Sequence, residues 1–171
     1  MNETNLILGI VGLPPESARN CTQELHPIPN GEFKKSLNGD LLFLKASENK
    51  KYKSIISCRD VNFPIIDSIW IGSQINVGCI QNLWQSIEAG QQKIRLIRPV
   101  VKDSINVLNT AGDSIKFNFN DGSNEVELLK KYNEKIFVSF RPWLIMTVVD
   151  FSFETNEWNM NGSWKIVLEE V

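Results

Sequence analysis

Acid–base, nucleophilic or metal chemistry needs a small set of residue types held close together, and this chain supplies few of them. His26 is the only histidine in 171 residues, and it precedes Pro27 where a turn is expected. No serine or cysteine triad and no multi-histidine metal site can be assembled around it, so it reads as a surface or loop residue. Asp150 is the one acid in a long apolar run, beside Thr147, Val148, Val149 and Phe151. General-acid work would need a second carboxylate at a fixed separation. The expectation for Asp150 is therefore an ion pair with Arg141 or Lys165, or plain exposure on an edge.

The remaining candidates are weaker. Glu154, Glu157, Glu169 and Glu170 fall at expected strand ends without a DxDxDG calcium loop, and the glycines at 72, 78, 90, 112, 122 and 162 form no phosphate-binding loop. Cys21, Cys58 and Cys79 are odd in number, widely spaced and without a CxxC pair. They read as small buried residues in a reducing compartment. Five tryptophans suggest a carbohydrate platform, but Trp143, Trp158 and Trp164 lie in or near one long hairpin, where cross-strand aromatic pairing is the ordinary explanation. The expectation is a protein that is not an enzyme, with no cofactor and no metal.

Composition narrows the partners. The length suits one domain over residues 1–171, able to bury about two-thirds of its unfolded surface. Eighteen Lys plus Arg against twenty Asp plus Glu leave a net charge of -2. With the signs interspersed, no broad positive field exists for phosphates, and no specific nucleic acid is expected. Lys50, Lys51 and Lys53 around Tyr52 read as a solvated lead-in to a strand. The first residues carry an apolar run of only about eight with no basic residue before it, unlike a signal peptide. No run approaches the roughly twenty apolar residues of a membrane span. A soluble protein made in a cytoplasm is expected, with no membrane partner, and its three Asn-x-Ser/Thr tripeptides are expected to be chance.

Alternation and β-branched residues dominate, so the fold class expected is mainly β: a single antiparallel β-barrel or sandwich. Strands are expected over 6–11, 20–25, 51–58, 74–80, 93–101 and 114–120. Asn38-Gly39, between 33–37 and 41–44, predicts a hairpin with a two-residue type I′ turn. Turns are expected at Ala111-Gly112-Asp113 and Asp121-Gly122. Residues 124–133, with Val126, Leu128, Leu129 and Tyr132, predict the one short helix. The segment 60–72 contains Pro64 and five apolar residues, Ile65, Ile66, Ile69, Trp70 and Ile71. It is expected to fold over one end of the barrel or sandwich, or to meet another chain.

The C-terminal part predicts a long hairpin, 135–171. One strand of up to about 19 residues would reach some 60 Å, longer than a compact domain of this size is wide, so it must bend at Pro142, or project, or both. Trp164, Ile166 and Leu168 are expected on one face of the return strand. Ile145, Val149 and Phe151 are expected opposite Leu144, Met146 and Val148, which makes both faces partly apolar and in want of a neighbouring subunit. The candidate subunit interface is Ile65, Ile66, Ile69 and Trp70 in the connection, and Trp143, Ile145, Val149, Phe151, Trp158, Trp164, Ile166 and Leu168 in the hairpin.

KYKSIISCRDVNFPIIDSIWIGSQINVGCI at 51–80 and FVSFRPWLIMTVVDFSFETNEWNMNGSWKIVLEEV at 137–171 resemble small structural proteins of tailed-bacteriophage tails and baseplates. The matching positions include Tyr52, Ser57, Cys58, Pro64, Trp70, Gly72, Cys79, Arg141, Pro142, Asp150, Trp158 and Trp164. The likeness covers about two-thirds of the chain; residues 81–134 fall outside it and read as a possible insertion. It implies a non-enzymatic virion subunit, repeated as a six-fold or three-fold ring near the junction of tail tube and baseplate and touching other tail tube and baseplate proteins. A neck or tail-terminator ring is the alternative within the virion, and a carbohydrate-binding β-sandwich is the alternative outside it.

Overall fold

The computed structural model describes residues 4–45, 50–67, 69–158 and 162–171. Among the described residues there are fourteen strands and no helix. They are β1 (Ile7–Leu8), β2 (Thr22–Ile28), β3 (Gly31–Lys35), β4 (Leu41–Lys45), β5 (Lys51–Asp60), β6 (Gln74–Gly78), β7 (Leu83–Ile87), β8 (Lys93–Arg95), β9 (Asn106–Leu108), β10 (Phe117–Asn120), β11 (Glu125–Leu128), β12 (Ile136–Phe140), β13 (Trp143–Thr155) and β14 (Gly162–Glu170). All the ladders between these strands are antiparallel.

The largest sheet runs β1-β6-β13-β14-β5-β2. Its inward residues follow the period of two that a pleated strand imposes: Ser54, Ile56 and Cys58 on β5, Ile75 and Val77 on β6, Leu144, Met146 and Val148 on β13, and Trp164, Ile166 and Leu168 on β14 are all buried. Leu6, Leu8, Val11 and Ile69 pack into the same cluster. A second cluster, around Ile87, Val107, Val126, Leu128, Ile136, Val138 and Phe140, lies under the two smaller sheets, β7-β12-β9 and β10-β11-β8. Residues 81–134, expected as an insertion, thus build a core together with β12.

The two sheet systems meet at Arg141-Pro142, where the expected 19-residue strand breaks. Pro142 has no N–H for a ladder, so β12 ends in one sheet and β13 begins in another. The corner is held from outside: Val101 donates its N–H to the Arg141 carbonyl at 2.9 Å, Cys79 donates to that of Pro142 at 3.0 Å, and Trp143 donates to Pro99 at 2.8 Å.

Several expectations are corrected. The helix at 124–133 is absent, because Asn124 takes a left-handed φ of 53° and ends a turn. Val126 and Leu128 then alternate inward along β11, with Leu129 exposed. The Asn38-Gly39 hairpin exists, but its turn is longer than two residues. Ser36 donates to Asp40 at 2.9 Å and Gly39 to Ser36 at 3.0 Å, and of Asn38 and Gly39 only Gly39 has positive φ (86°). One residue in that region calls for a three-residue loop and not for a type I′ turn. β2 continues through His26-Pro27, tolerated because β2 ends the sheet order and the missing Pro27 N–H faces no second strand. The register of β13 against β14 slips between Val148 and Asp150. The bulge at Val149 brings Phe151 to the inward side with Val148, not opposite it as simple alternation had predicted.

Candidate functional site

The arm formed by β3 and β4 is a two-stranded sheet of its own, continuing outward from the paired β2 and β5. Gly31 is opposite Lys45, Phe33 opposite Phe43 and Lys35 opposite Leu41 on one face; Glu32 is opposite Leu44 and Lys34 opposite Leu42 on the other. Every residue from Glu32 to Lys35 and from Leu41 to Lys45 is exposed, including Phe33 (66%), Leu41 (65%) and Leu44 (51%), with Leu37 fully exposed at the tip. The Phe33 and Phe43 rings touch, centroids 4.8 Å apart. On the other face the Lys34 ammonium lies 3.7 Å from the Glu32 carboxylate, beside Leu42 and Leu44. Both faces of the arm therefore present apolar side chains to the outside.

A second apolar surface lies where the 60–72 connection crosses the far half of β13. Phe63 meets Phe153 (5.3 Å), Phe153 meets Phe151 (5.8 Å), and Phe151 meets Trp70 (5.5 Å), a row of four rings in the edge-to-face geometry aromatic quadrupoles favour. Trp70 remains 69% exposed, with Ile65 and Ile71 exposed nearby in the chain. Ile65 pairs with Gly12, and Ile69 is buried in the main core. The connection thus closes one end of the core and still turns apolar groups outward.

The expected interface residues separate into three groups. Ile69, Trp164, Ile166 and Leu168 are buried in the chain's own core, because β14 lies between β13 and β5 and turns that face inward; they offer no surface to a neighbour. Ile65, Trp70, Ile145, Val149 and Trp158 are exposed, while Ile66, Trp143 and Phe151 are half-buried. Trp143 and Ile145 line a groove of about 610 Å³ with Ile7, Pro99 and Val171. At its wall Arg98 donates from Nε to Glu170 at 2.7 Å. Sequence reading saw the 31–45 arm only as a hairpin. The signal it passed over is Leu41-Leu42-Phe43-Leu44, four apolar residues in a row, which in a strand must face both ways.

The polar candidates have structural surroundings. His26 Nε2 lies 3.0 Å from Glu24 Oε2 on the exposed edge strand. Asp150 is exposed at the bulge, and Arg141 turns away from it. The Arg141 guanidinium donates through Nε to the Cys79 carbonyl at 2.7 Å and through Nη2 to that of Asn5, bolting the corner to the N-terminal segment. Burial raises the Cys79 thiol to about 11. Among the described residues no group of three His, Cys, Asp or Glu could hold a metal ion, and no helix is long and apolar enough to cross a membrane.

No protein-family model matches the chain, and comparison with curated proteins finds no match.

Proposed function

We propose that this chain is a non-enzymatic structural subunit of a bacteriophage tail, repeated as a ring at or near the junction of tail tube and baseplate, and that the 31–45 arm is its principal contact with the next copy. The observation that carries the reading is the arm itself, a two-stranded ribbon with six large apolar side chains exposed over both faces. An isolated two-stranded hairpin is marginal in water. Each such side chain contributes about 1.5–3 kcal/mol on full burial. A neighbour that covers both faces supplies that burial, and rotational symmetry repeats the contact until the ring closes. In that ring the large sheet forms part of a barrel or sandwich wall. The exposed part of the 60–72 connection, with Ile145 and Val149, supplies further contact. The likeness of 51–80 and 137–171 to tail proteins supports the same assignment.

The test is native mass spectrometry of the purified chain and of isolated particles. The wild type is expected as a closed ring. A variant with Leu42→Glu and Leu44→Glu is expected to fold with an unchanged circular-dichroism spectrum and to remain a monomer. A wild type that is monomeric inside particles, or a variant that assembles as well as the wild type, defeats the proposal. The exposed indoles of Trp70 and Trp158 favour a second reading, a carbohydrate-binding module. Saturable binding on a glycan array, lost on Trp70→Ala or Trp158→Ala and independent of oligomeric state, selects it.

A further inference from the structure

Two of the three cysteines, widely separated in sequence, come together beyond the end of the β2–β5 ladder that lies away from the arm. The β2–β5 ladder ends on Thr22 opposite Ser57, held there by Thr22 Oγ1 donating to the Ser57 carbonyl at 3.2 Å. One step further the same register sets Cys21 opposite Cys58. Directly opposed residues of an antiparallel pair have Cα atoms about 4.5–5.5 Å apart, inside the roughly 4.4–6.8 Å that a disulfide spans. The side chains face the same way, close enough for each thiol to shift the titration of the other, and Cys21 Sγ also lies 3.4 Å from the Ala18 carbonyl. Cys58 is buried in the main core while Cys21 is half-buried, so Cys21 is the more accessible residue of the pair. Cys79 is buried on the next segment of the core, bonded through its carbonyl to Arg141.

We propose that Cys21 and Cys58 are an oxidative modification site, forming a disulfide that staples β2 to β5 at the end of their ladder remote from the arm. The oxidant is a low-molecular-weight disulfide such as oxidised glutathione. The Cys21 thiolate attacks one glutathione sulfur, the glutathione S–S bond breaks, and the first glutathione leaves as a thiolate that takes up a proton. The Cys58 thiolate then attacks the Cys21 sulfur of the mixed disulfide and releases the second glutathione. Two protein thiols are oxidised by two electrons and one glutathione disulfide is reduced to two thiols. Burial and the Asp60 carboxylate raise both thiols above their ordinary range, so the exchange is slow and quickens with pH. The closed loop contains the whole arm, and closing a loop of this size removes chain entropy from the unfolded state.

The experiment uses the full chain, reduced and then incubated with oxidised glutathione at about pH 8.5. It is next acid-quenched, denatured, alkylated and digested without reductant. The expected product is a cross-linked pair of peptides carrying Cys21 and Cys58, two hydrogens lighter than their sum, with Cys79 alkylated. The oxidised chain should melt on the order of 5–10 °C higher than the reduced one, and dithiothreitol should reverse the shift. Cys79→Ser should keep the cross-link, and Cys21→Ser should abolish both link and shift. Cys21 and Cys58 both alkylated, a glutathione adduct persisting on Cys21, or a link to Cys79 would each overturn the proposal.

Discussion

Asp60 ends β5 and is the most heavily bonded carboxylate among the described residues. It accepts from the Arg19 guanidinium (Nη2 at 2.7 Å, Nε at 3.1 Å) and from the backbone N–H groups of Arg19 at 2.9 Å and Val61 at 2.8 Å. The hydrogen bond from Arg19 is the largest cause that holds its pKa down at about 2, against the desolvation that opposes it. A carboxyl whose folded pKa lies below its unfolded value contributes stability that is complete above the unfolded value, near 4, and is lost as pH falls towards 2. Acid titration followed by circular dichroism should show wild-type stability falling through that window. Asp60→Asn should flatten that fall and cost about 1–3 kcal/mol at neutral pH, because its amide must leave some of the four donors unmatched. An unchanged acid limb in the variant would refute the assignment. None of this pairing was legible in the sequence, since Arg19 and Asp60 lie 41 residues apart and nothing local joins them. The inward face of Trp164, Ile166 and Leu168 was legible, because alternation alone fixes it. Which surface that face meets was not, for period two gives the same pattern against one's own core and against a neighbour.

At the level of elements, the lost helix is the most instructive case. Residues 124–133 carry apolar side chains at spacings that satisfy both 3.6 and 2, and a short run cannot separate the two. The arbiter is Asn124. Its Nδ2 donates to the carbonyls of Leu96 at 2.8 Å and Arg98 at 2.7 Å, and its carbonyl accepts from Leu96 at 2.9 Å. This clamp ties the turn before β11 to the segment after β8, so that Val126 sits opposite Ile94. Asn is among the few residues that enter the left-handed region cheaply, and here its side chain stays there as a tie. Asn124→Ala should therefore cost about 2–3 kcal/mol by chemical denaturation, through two lost hydrogen bonds and a strained φ. Asn124→Gly, which relieves the φ but not the bonds, should cost about 1 kcal/mol less. Equal losses would mean that φ has no part in it. The break at Pro142 was readable as a bend, because the proline is explicit in the sequence. The bulge at Val149 was not, because no residue type there demands it, and so Phe151 was assigned to the wrong face.

At the scale of the whole molecule the question is which hairpin reaches outward. The 135–171 hairpin, long and apolar, is expected from sequence to bend at Pro142, or project, or both, and it bends there: β13 lies between β6 and β14, and β14 between β13 and β5. β6 covers the outer edge of β13 from Trp143 to Thr147 and β5 covers that of β14, so a second strand is lacking only beside the far half of β13. Removing residues 165–171 would cut β14 out of the middle of the large sheet and uncover Ile56 and Met146, so the truncated chain should be insoluble rather than merely unassembled. The element that leaves the body is the 31–45 arm, and it can be excised without loss of core. Ile28 faces Lys51 at the last step of the β2–β5 ladder, a hydrogen-bonded pair because its neighbour Pro27–Tyr52 is not one, and an Asn-Gly turn in place of residues 29–50 closes it as a two-residue hairpin. None of the deleted described side chains belongs to either buried cluster. The shortened chain should keep its melting temperature within a few degrees while losing the ability to form a ring. Thermal unfolding and native mass spectrometry on one preparation separate the outcomes. Unfolding would make the arm part of the fold, and rings of normal size would leave the arm's exposed apolar faces without the assembly role proposed for them.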